Sequence, residues 1–286
     1  MIDMHVHTNH SDGEYSPKEV LQMAKDIGIT HMAITDHDTI SGLKEAHQYA
    51  DSFGIRLLNG VELASGEYRS MHILCLGFKY PNDTLQTVLD RWLNGRKERA
   101  YRICDYLLRV HSIDVSIQEV KAVCSGEAIS RVHFAQVLKS RGYVDTIQEA
   151  FEKYLDTKEF QSVDSHKPTT ERILDVIQQS GGMSVLAHPS SLKLDDATFD
   201  SLICRLKGLG LNGLECYYSK HDKAMTEKYI AVAKKYSLLI TGGSDFHGEH
   251  AKPNLKLGTG YDNTFYYNDM DTFNVFYNHQ LKEYSK

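Results

Sequence analysis

His5-Val6-His7 and Asp12-Gly13 place two imidazoles and a carboxylate within the first thirteen residues of the chain. Alternate side chains of an extended strand share a face, so a strand over residues 2–7 points His5 and His7 the same way and hands Asp12 to the turn that follows. Neutral imidazole and carboxylate are common protein donors to Zn, Mn and Fe, and strand ends in α/β folds collect ligands. Metal binding is the first chemistry these residues suggest. A His-x-His pair alone is a weak sign; its weight comes from what recurs downstream.

An apolar run over 29–35 delivers Asp36-His37-Asp38 and a run over 55–61 delivers Glu62. A run over 71–78 carries His72 near its start, 183–187 leads to His188-Pro189, and 238–241 leads to Asp245-Phe246-His247. His5, His7, Asp12, His37, Glu62, His72, His188, Asp245 and His247 therefore all sit at or just beyond expected strands. In a parallel barrel the C-terminal strand ends share one face. His72 fits that face only if its strand runs antiparallel or begins earlier than drawn. One zinc or manganese takes three or four protein ligands, so nine donors suit two or three ions, with Glu62 as the bridging carboxylate. His10, His31, His47, His111, His166, His221, His250 and His279 fall in loops or on helices and read as solvated or core residues. Asp36 and Asp38 flank a ligand and read as partners for an imidazole N–H.

The elements that must position these donors alternate. Ser16, Pro17 and Glu19 form a helix start, and Val20, Leu21, Ala24 and Ile27 continue it as an apolar stripe to Gly28. A second helix over 41–52 closes at Gly54. After position 167, helices at 170–180, 195–207 and 222–236 alternate with strands at 183–187, 211–216 and 238–241. Seven strands result, in βαβ units of a closed barrel or an open doubly wound sheet. Between 81 and 167 only helical periodicity is found, so residues 1–80 and 168–286 form the α/β body and 81–167 an all-α insertion. The Tyr-rich tail from Tyr261 mixes strand and helix features, and its aromatics read as packing rather than as a base-stacking surface.

Composition narrows the class. At 286 residues with 41% hydrophobic content and a formal charge of −6, the chain suits a globular protein and argues against bulk binding to duplex nucleic acid. No apolar run approaches the ~20 residues a membrane span needs, and no basic-then-apolar leader opens the chain. A cytoplasmic protein with no membrane partner is expected. Five cysteines without a Cys-x-x-Cys pair fit reduced thiols and argue against a thiolate zinc site.

The insertion is basic. Residues 91–141 hold ten Lys/Arg against five Asp/Glu, a net +5 that leaves the rest of the chain at −11. Leu85, Val88, Leu89, Trp92 and Leu93 build an apolar stripe that resumes at Ile103, Leu107 and Val110, and Arg96 and Arg99 interrupt it on the same face. A guanidinium clamp for an oxyanion is one reading, and a snorkelling ion pair the plainer one. Ser130 caps a helix that begins Arg131-Val132-His133, a combination suited to an anion or to an ordinary charged first turn.

The ordered set His5-x-His7, Asp12-Gly13, Thr35-Asp36-His37, Glu62, His72, Ala187-His188-Pro189 and Gly243-Ser244-Asp245-Phe246-His247 resembles the successive motifs of the PHP (polymerase and histidinol phosphatase) family. The resemblance implies a distorted seven-stranded (β/α) TIM-like barrel holding three Mn, Fe or Zn ions, Mn foremost. Carried over residue by residue, His5, His7, Glu62 and Asp245 hold one ion, Glu62, His72 and His188 a second, and Asp12, His37 and His247 a third. The Arg-x-x-Arg and Arg-x-His elements of the insertion are similar to the branch containing nucleoside 3′,5′-bisphosphate phosphatases and the 5′-to-3′ exoribonuclease RNase AM. A small phosphorylated substrate follows: a nucleoside bisphosphate, a 5′-mononucleotide or the 5′ end of a short RNA. A metal-bridging hydroxide attacks phosphorus, Asp12, His37 or His247 assists the leaving group, and Arg96, Arg99, Arg131 and His133 bind a distal phosphate, with Arg102 an alternative to Arg99. The rival expectations are a histidinol-phosphate phosphatase, an amidohydrolase-type hydrolase with two ions, and a non-catalytic metal-binding module.

Overall fold

Seven strands follow one another around a single sheet in strict chain order in the computed structural model, which describes residues 1–68, 70–124, 129–163 and 167–286. They are β1 (Ile2–Asp3), β2 (His31–Ile34), β3 (Arg56–Ala64), β4 (His72–Leu76), β5 (Met183–Leu186), β6 (Gly213–Tyr218) and β7 (Leu239–Gly243). All neighbours are parallel except β4, which runs antiparallel to both β3 and β5. Beyond its two assigned residues, the β1 segment continues as paired backbone. Met4 N–H donates to Gly242 O at 3.0 Å, Asp245 N–H to His5 O at 2.8 Å and His7 N–H to Phe246 O at 2.9 Å, which brings the last strand back to the first. This is the seven-stranded barrel expected from the motifs.

The antiparallel β4 resolves the placement of His72. Its register sets His72 opposite Ala64, at the end of β3 that carries Glu62. A side chain at the start of β4 thus lies at the same barrel mouth as side chains at the ends of the parallel strands.

Local sequence explains the crossovers. Helix α1 (Pro17–Asp26) opens on a capping box: Ser16 Oγ accepts the Glu19 N–H, and Glu19 Oε2 accepts the Ser16 N–H at 2.8 Å. α2 (Leu43–Tyr49) is shorter than the periodicity suggests, because the chain tightens into a 3₁₀ turn at Asp51–Phe53 before Gly54 takes φ +70°.

From 83 to 163 the described residues contain no strand. α3 (Asp83–His111), α4 (Ile117–Val123), α5 (Arg131–Ser140) and α6 (Ile147–Ala150) carry this region. α3 joins two cores: Leu85 and Leu89 pack into the barrel's helical layer, whereas Ala100, Ile103, Tyr106 and Leu107 pack with Phe134, Leu138, Leu155 and Phe160 in a separate cluster. The body then resumes with α7 (Thr170–Gln179), α8 (Asp196–Gly208) and α9 (Lys223–Lys235).

The Tyr-rich tail resolves into a small antiparallel pair, β8 (Leu255–Lys256) and β9 (Gly260–Tyr261), followed by α10 (Met270–Tyr284). Phe265, Tyr267, Phe273 and Phe276 are buried against Ile2, Met4, Leu58, Leu74, Leu76 and Val185. At about 1.5–3 kcal/mol for each large apolar side chain removed from water, this cluster is a substantial part of the core.

Candidate active site

Glu62 is the centre of the site. It is 1% exposed, and its two oxygens face different imidazoles. Oε1 lies 2.8 Å from both His72 Nδ1 and His188 Nε2. Oε2 lies 3.2 Å from His7 Nε2, 3.4 Å from His5 Nε2 and 3.0 Å from His37 Nδ1. Asp245 Oδ1 completes the first side at 3.4 Å from His7 Nε2 and 3.7 Å from His5 Nε2. Asp12 lies beyond His7, with Oδ1 3.3 Å from His247 Nε2 and Oδ2 3.8 Å from His37 Nε2.

The nine sequence-identified donors therefore meet at one barrel mouth. Three sets have ligand atoms close enough to share an ion: His5, His7 and Asp245; His37, Glu62 and His72; and His7, Asp12, His37 and His247. His7 belongs to two of these sets and His37 to two, a tighter mesh than the motif-by-motif assignment implies. Several inward-facing atoms are buried without a hydrogen-bond partner among the described residues, including His7 Nδ1, Asp12 Oδ1, His37 Nδ1 and Glu62 Oε2. Buried polar atoms left in this state are costly, and divalent cations would satisfy them. The donor set, imidazole with carboxylate and no thiolate, fits Mn, Fe or Zn.

The charge states agree. Burial works against a charged His5, but Glu215, Glu62 and Asp245 outweigh it and hold the imidazole well above its ordinary range. Burial likewise opposes charge on His7, yet the Asp245 and Glu62 carboxylates facing it raise its pKa to about 9. His37, His72 and His247 are pushed down, chiefly by burial. Burial alone would raise Asp12, Glu62 and Asp245, but the surrounding imidazoles, with Lys252 foremost for Asp245, hold all three well below the usual carboxylate range. Without cations, protons on His5 and His7 offset only part of the buried carboxylate charge.

A further layer fixes these donors. Glu215 Oε1 accepts from His5 Nδ1 at 2.9 Å, leaving Nε2 to face Glu62, and Oε2 accepts the His188 backbone N–H at 2.6 Å. Tyr218 Oη and Lys252 Nζ donate to Asp245 Oδ2 at 3.1 and 2.5 Å, so Oδ1 is the oxygen turned inward. Asp36 does not orient an imidazole. Its oxygens accept from Thr8 N, Thr8 Oγ1 and Ser11 Oγ at 2.6–2.7 Å and shape the turn that delivers Asp12. Asp38 accepts the Ala64 N–H at 3.3 Å.

Backbone demands are equally local. His188 takes φ +29° and Asp245 φ +57°, conformations a non-glycine residue adopts only when its surroundings enforce them. A Cβ on Gly243 would lie 2.1 Å from His5 Cβ, and one on Gly13 2.7 Å from the His7 carbonyl carbon and oxygen. Only glycine lets these segments approach the ligand-bearing strand.

The insertion and barrel loops enclose a cleft of about 630 Å³ over the donors, with Asp12, His37, His72 and His247 on its wall. Arg99 and Arg131 line it from the insertion, and Lys220 and Lys252 from the barrel loops. Arg99 is 8% exposed. Arg131 donates to Asp156 Oδ1 at 2.9 Å and to Leu155 O at 3.3 Å, and stands over the Phe151 ring. His133 is buried, accepts the Ser130 N–H on Nδ1 at 3.0 Å as part of a capping box, and does not line the cleft. The Arg96 side chain lies outside the described residues, as does His166. Arg102 Nε and Nη2 are buried without a hydrogen-bond partner among the described residues, and Arg102 does not line the cleft. His10, His31, His47, His111, His221, His250 and His279 stand apart from the three donor sets.

Sequence reading missed Glu215, Tyr218, Lys220 and Lys252. Glu215 had a usable signal, an acid in the middle of an apolar strand, where burial without a partner is prohibitive. The lysines carried none, because nothing in their loops distinguishes them from solvated cations.

Comparison with known proteins agrees with this geometry. The family model for the PHP domain matches residues 3–182. The chain is 33% identical to a 3′,5′-nucleoside bisphosphate phosphatase of Chromobacterium violaceum, covering 86% of this chain and 87% of that one. It is 32% identical to a 5′-3′ exoribonuclease of Haemophilus influenzae, over 86% and 89% of the two chains. Among solved structures, a Bifidobacterium adolescentis protein classed as a metal-dependent phosphoesterase superposes with TM-score 0.81 at 28% identity, covering 97% of this chain and 96% of its own. An amidohydrolase from Chromobacterium violaceum, solved with bound sulfate and no metal, superposes with TM-score 0.80 at 33% identity over 87% and 89%. With this barrel, these nine donors at its mouth and a family match across more than half its length, the chain belongs to the PHP domain family.

Proposed function

We propose that this protein is a metal-dependent phosphoesterase acting on nucleotides: a nucleoside 3′,5′-bisphosphate, a 5′-mononucleotide or the 5′ end of a short RNA. The observation that carries the reading is Glu62, whose oxygens face separate imidazole groups beneath a cleft with cationic walls. His5, His7, Glu62 and Asp245 would hold one ion, Glu62, His72 and His188 a second, and Asp12, His37 and His247 a third, with Mn the first candidate. Such ions, when bound, neutralise phosphoryl oxygens and lower the pKa of water beside them.

The chain's own residues do the rest. Glu215 keeps a proton on His5 Nδ1, so that Nε2 is available as a donor. Tyr218 and Lys252 turn Asp245 Oδ1 inward. Asp12, His37 and His247 stand on the cleft wall, where one of them can pass a proton to the leaving oxygen. Arg99, Arg131, Lys220 and Lys252 surround the substrate phosphates and draw anions into a mouth whose floor is acidic until cations fill it. His133 caps the helix that begins at Arg131, its Nδ1 accepting the Ser130 N–H.

The test is phosphate release with added Mn from a panel of 5′-mononucleotides, 3′,5′-bisphosphates, short 5′-phosphorylated RNAs and histidinol phosphate. Nucleotide substrates should exceed histidinol phosphate in kcat/KM. Preference for histidinol phosphate, or no release from any of them, sinks the proposal.

A further inference from the structure

Beside the main cleft lies a smaller cavity of about 90 Å³, walled by Arg91, Trp92 and Gly95 of α3 and by Asp38, Ala64 and Pro168 of the barrel. Arg99, Lys167 and Ala64 line both spaces, so the small cavity adjoins the large one across two cationic side chains. Its volume is several times what a single water needs.

Gly95 is the anomaly. It sits inside the 29-residue helix α3, where glycine weakens a helix relative to alanine. Close packing does not require it, since a Cβ added there meets no atom of the described residues within 4 Å. The effect of the missing side chain is to keep open the space next to Trp92, its neighbour one turn earlier on the same helix face. Trp92 is the chain's sole tryptophan. It is half-buried, packing in part on the barrel's helical layer while also walling the cavity.

An aromatic wall bordered by guanidinium groups holds a flat heteroaromatic ring through stacking and cation–π attraction. We propose that this cavity is a nucleobase subsite: with the reacting phosphate over the donor cluster, Arg99 and Lys167 meet the sugar-phosphate and the base lies against Trp92 in the space left by Gly95. The inference rests on the nucleotide reading given above, and it adds the part of the substrate that separates a nucleotide from a bare phosphate ester.

Because Trp92 is the sole tryptophan, its fluorescence reads the subsite directly. Mn-loaded full-length protein is mixed in stopped flow, and read before turnover, with adenosine 5′-monophosphate, ribose 5-phosphate or inorganic phosphate. Saturable quenching by the nucleotide, and not by the other two, is expected. In Gly95→Leu the quenching should disappear. Its KM for the nucleotide should rise roughly tenfold, the scale of one stacked base, with KM for ribose 5-phosphate unchanged. The wild-type titration stands even if that variant fails to fold. Equal quenching by nucleotide and ribose 5-phosphate, or none, in a protein that hydrolyses nucleotides overturns the base subsite. Absence of phosphate release from every nucleotide overturns the underlying functional reading instead.

Discussion

Glu215 and His5 lie 2.9 Å apart at the barrel mouth, both fully buried, and the second oxygen of the same carboxylate holds the backbone of His188. One side chain on β6 thus fixes two of the nine donors from two different strands. It sets the tautomer of one imidazole and the backbone position of another.

Glu215→Gln keeps the shape of this link and removes its charge. Losing an outer carboxylate partner typically weakens metal affinity about 10–100-fold. Competition with a chelator should show that loss while circular dichroism stays native. Unchanged affinity would mean that Glu215 serves packing alone.

Gly243→Ala places a Cβ into the space of His5 Cβ, 2.1 Å away. A destabilisation of about 1–3 kcal/mol is expected from overpacking, together with weaker metal uptake. Gly208→Ala is the control, because its Cβ meets nothing within 4 Å among the described residues. Urea midpoints compare the two; equal midpoints would remove the steric argument.

The raised His5 and His7 make metal uptake a proton-releasing event. His7 without cations keeps its proton up to about pH 9, so a metal binding at neutral pH must displace it. Apparent affinity should rise with pH toward 9 and then level. For the metal-free protein the sign is the reverse. A histidine whose folded pKa lies above its unfolded value near 6.5 adds stability that is complete below that value and is lost as pH climbs through about 9. Calorimetry in buffers of different ionisation enthalpy reads the protons. Uptake without proton release between pH 6.5 and 9 would falsify this charge assignment.

Arg131→Ala tests the insertion's part in phosphate binding. Arg131 stands at the cleft wall, ion-paired to Asp156. Its loss should raise KM for a 3′,5′-bisphosphate about tenfold or more and leave p-nitrophenyl phosphate nearly unchanged, given that charge-assisted contacts are the stronger class of hydrogen bond. Equal effects on both substrates would remove Arg131 from distal-phosphate binding.

The legible and illegible parts of the molecule divide along physical lines. The donors could be read because strand periodicity alone puts His5 beside His7 and because acids and imidazoles are rare at the ends of apolar runs. The direction of β4 showed only as a conflict at His72, since a strand's polarity is set by its partners and leaves no trace in its own residues. Asp36 could not be told from an imidazole partner, because a carboxylate that shapes a turn through Thr8 and Ser11 looks the same in sequence. α10 was obscured by its aromatics, which suit a strand as well as the barrel-facing side of a helix. The capping role of His133, whose Nδ1 accepts the Ser130 N–H, was hidden because a histidine at that position of a helix start is not the usual Glu or Gln of a capping box.

Elemental analysis of metal-stripped protein reloaded with Mn tests the donor cluster most directly. Three Mn per chain in the wild type is expected, falling by at least one in Glu62→Ala, with phosphate release following the ions bound. One ion or none in the wild type, or full loading of Glu62→Ala, contradicts a centre built around Glu62.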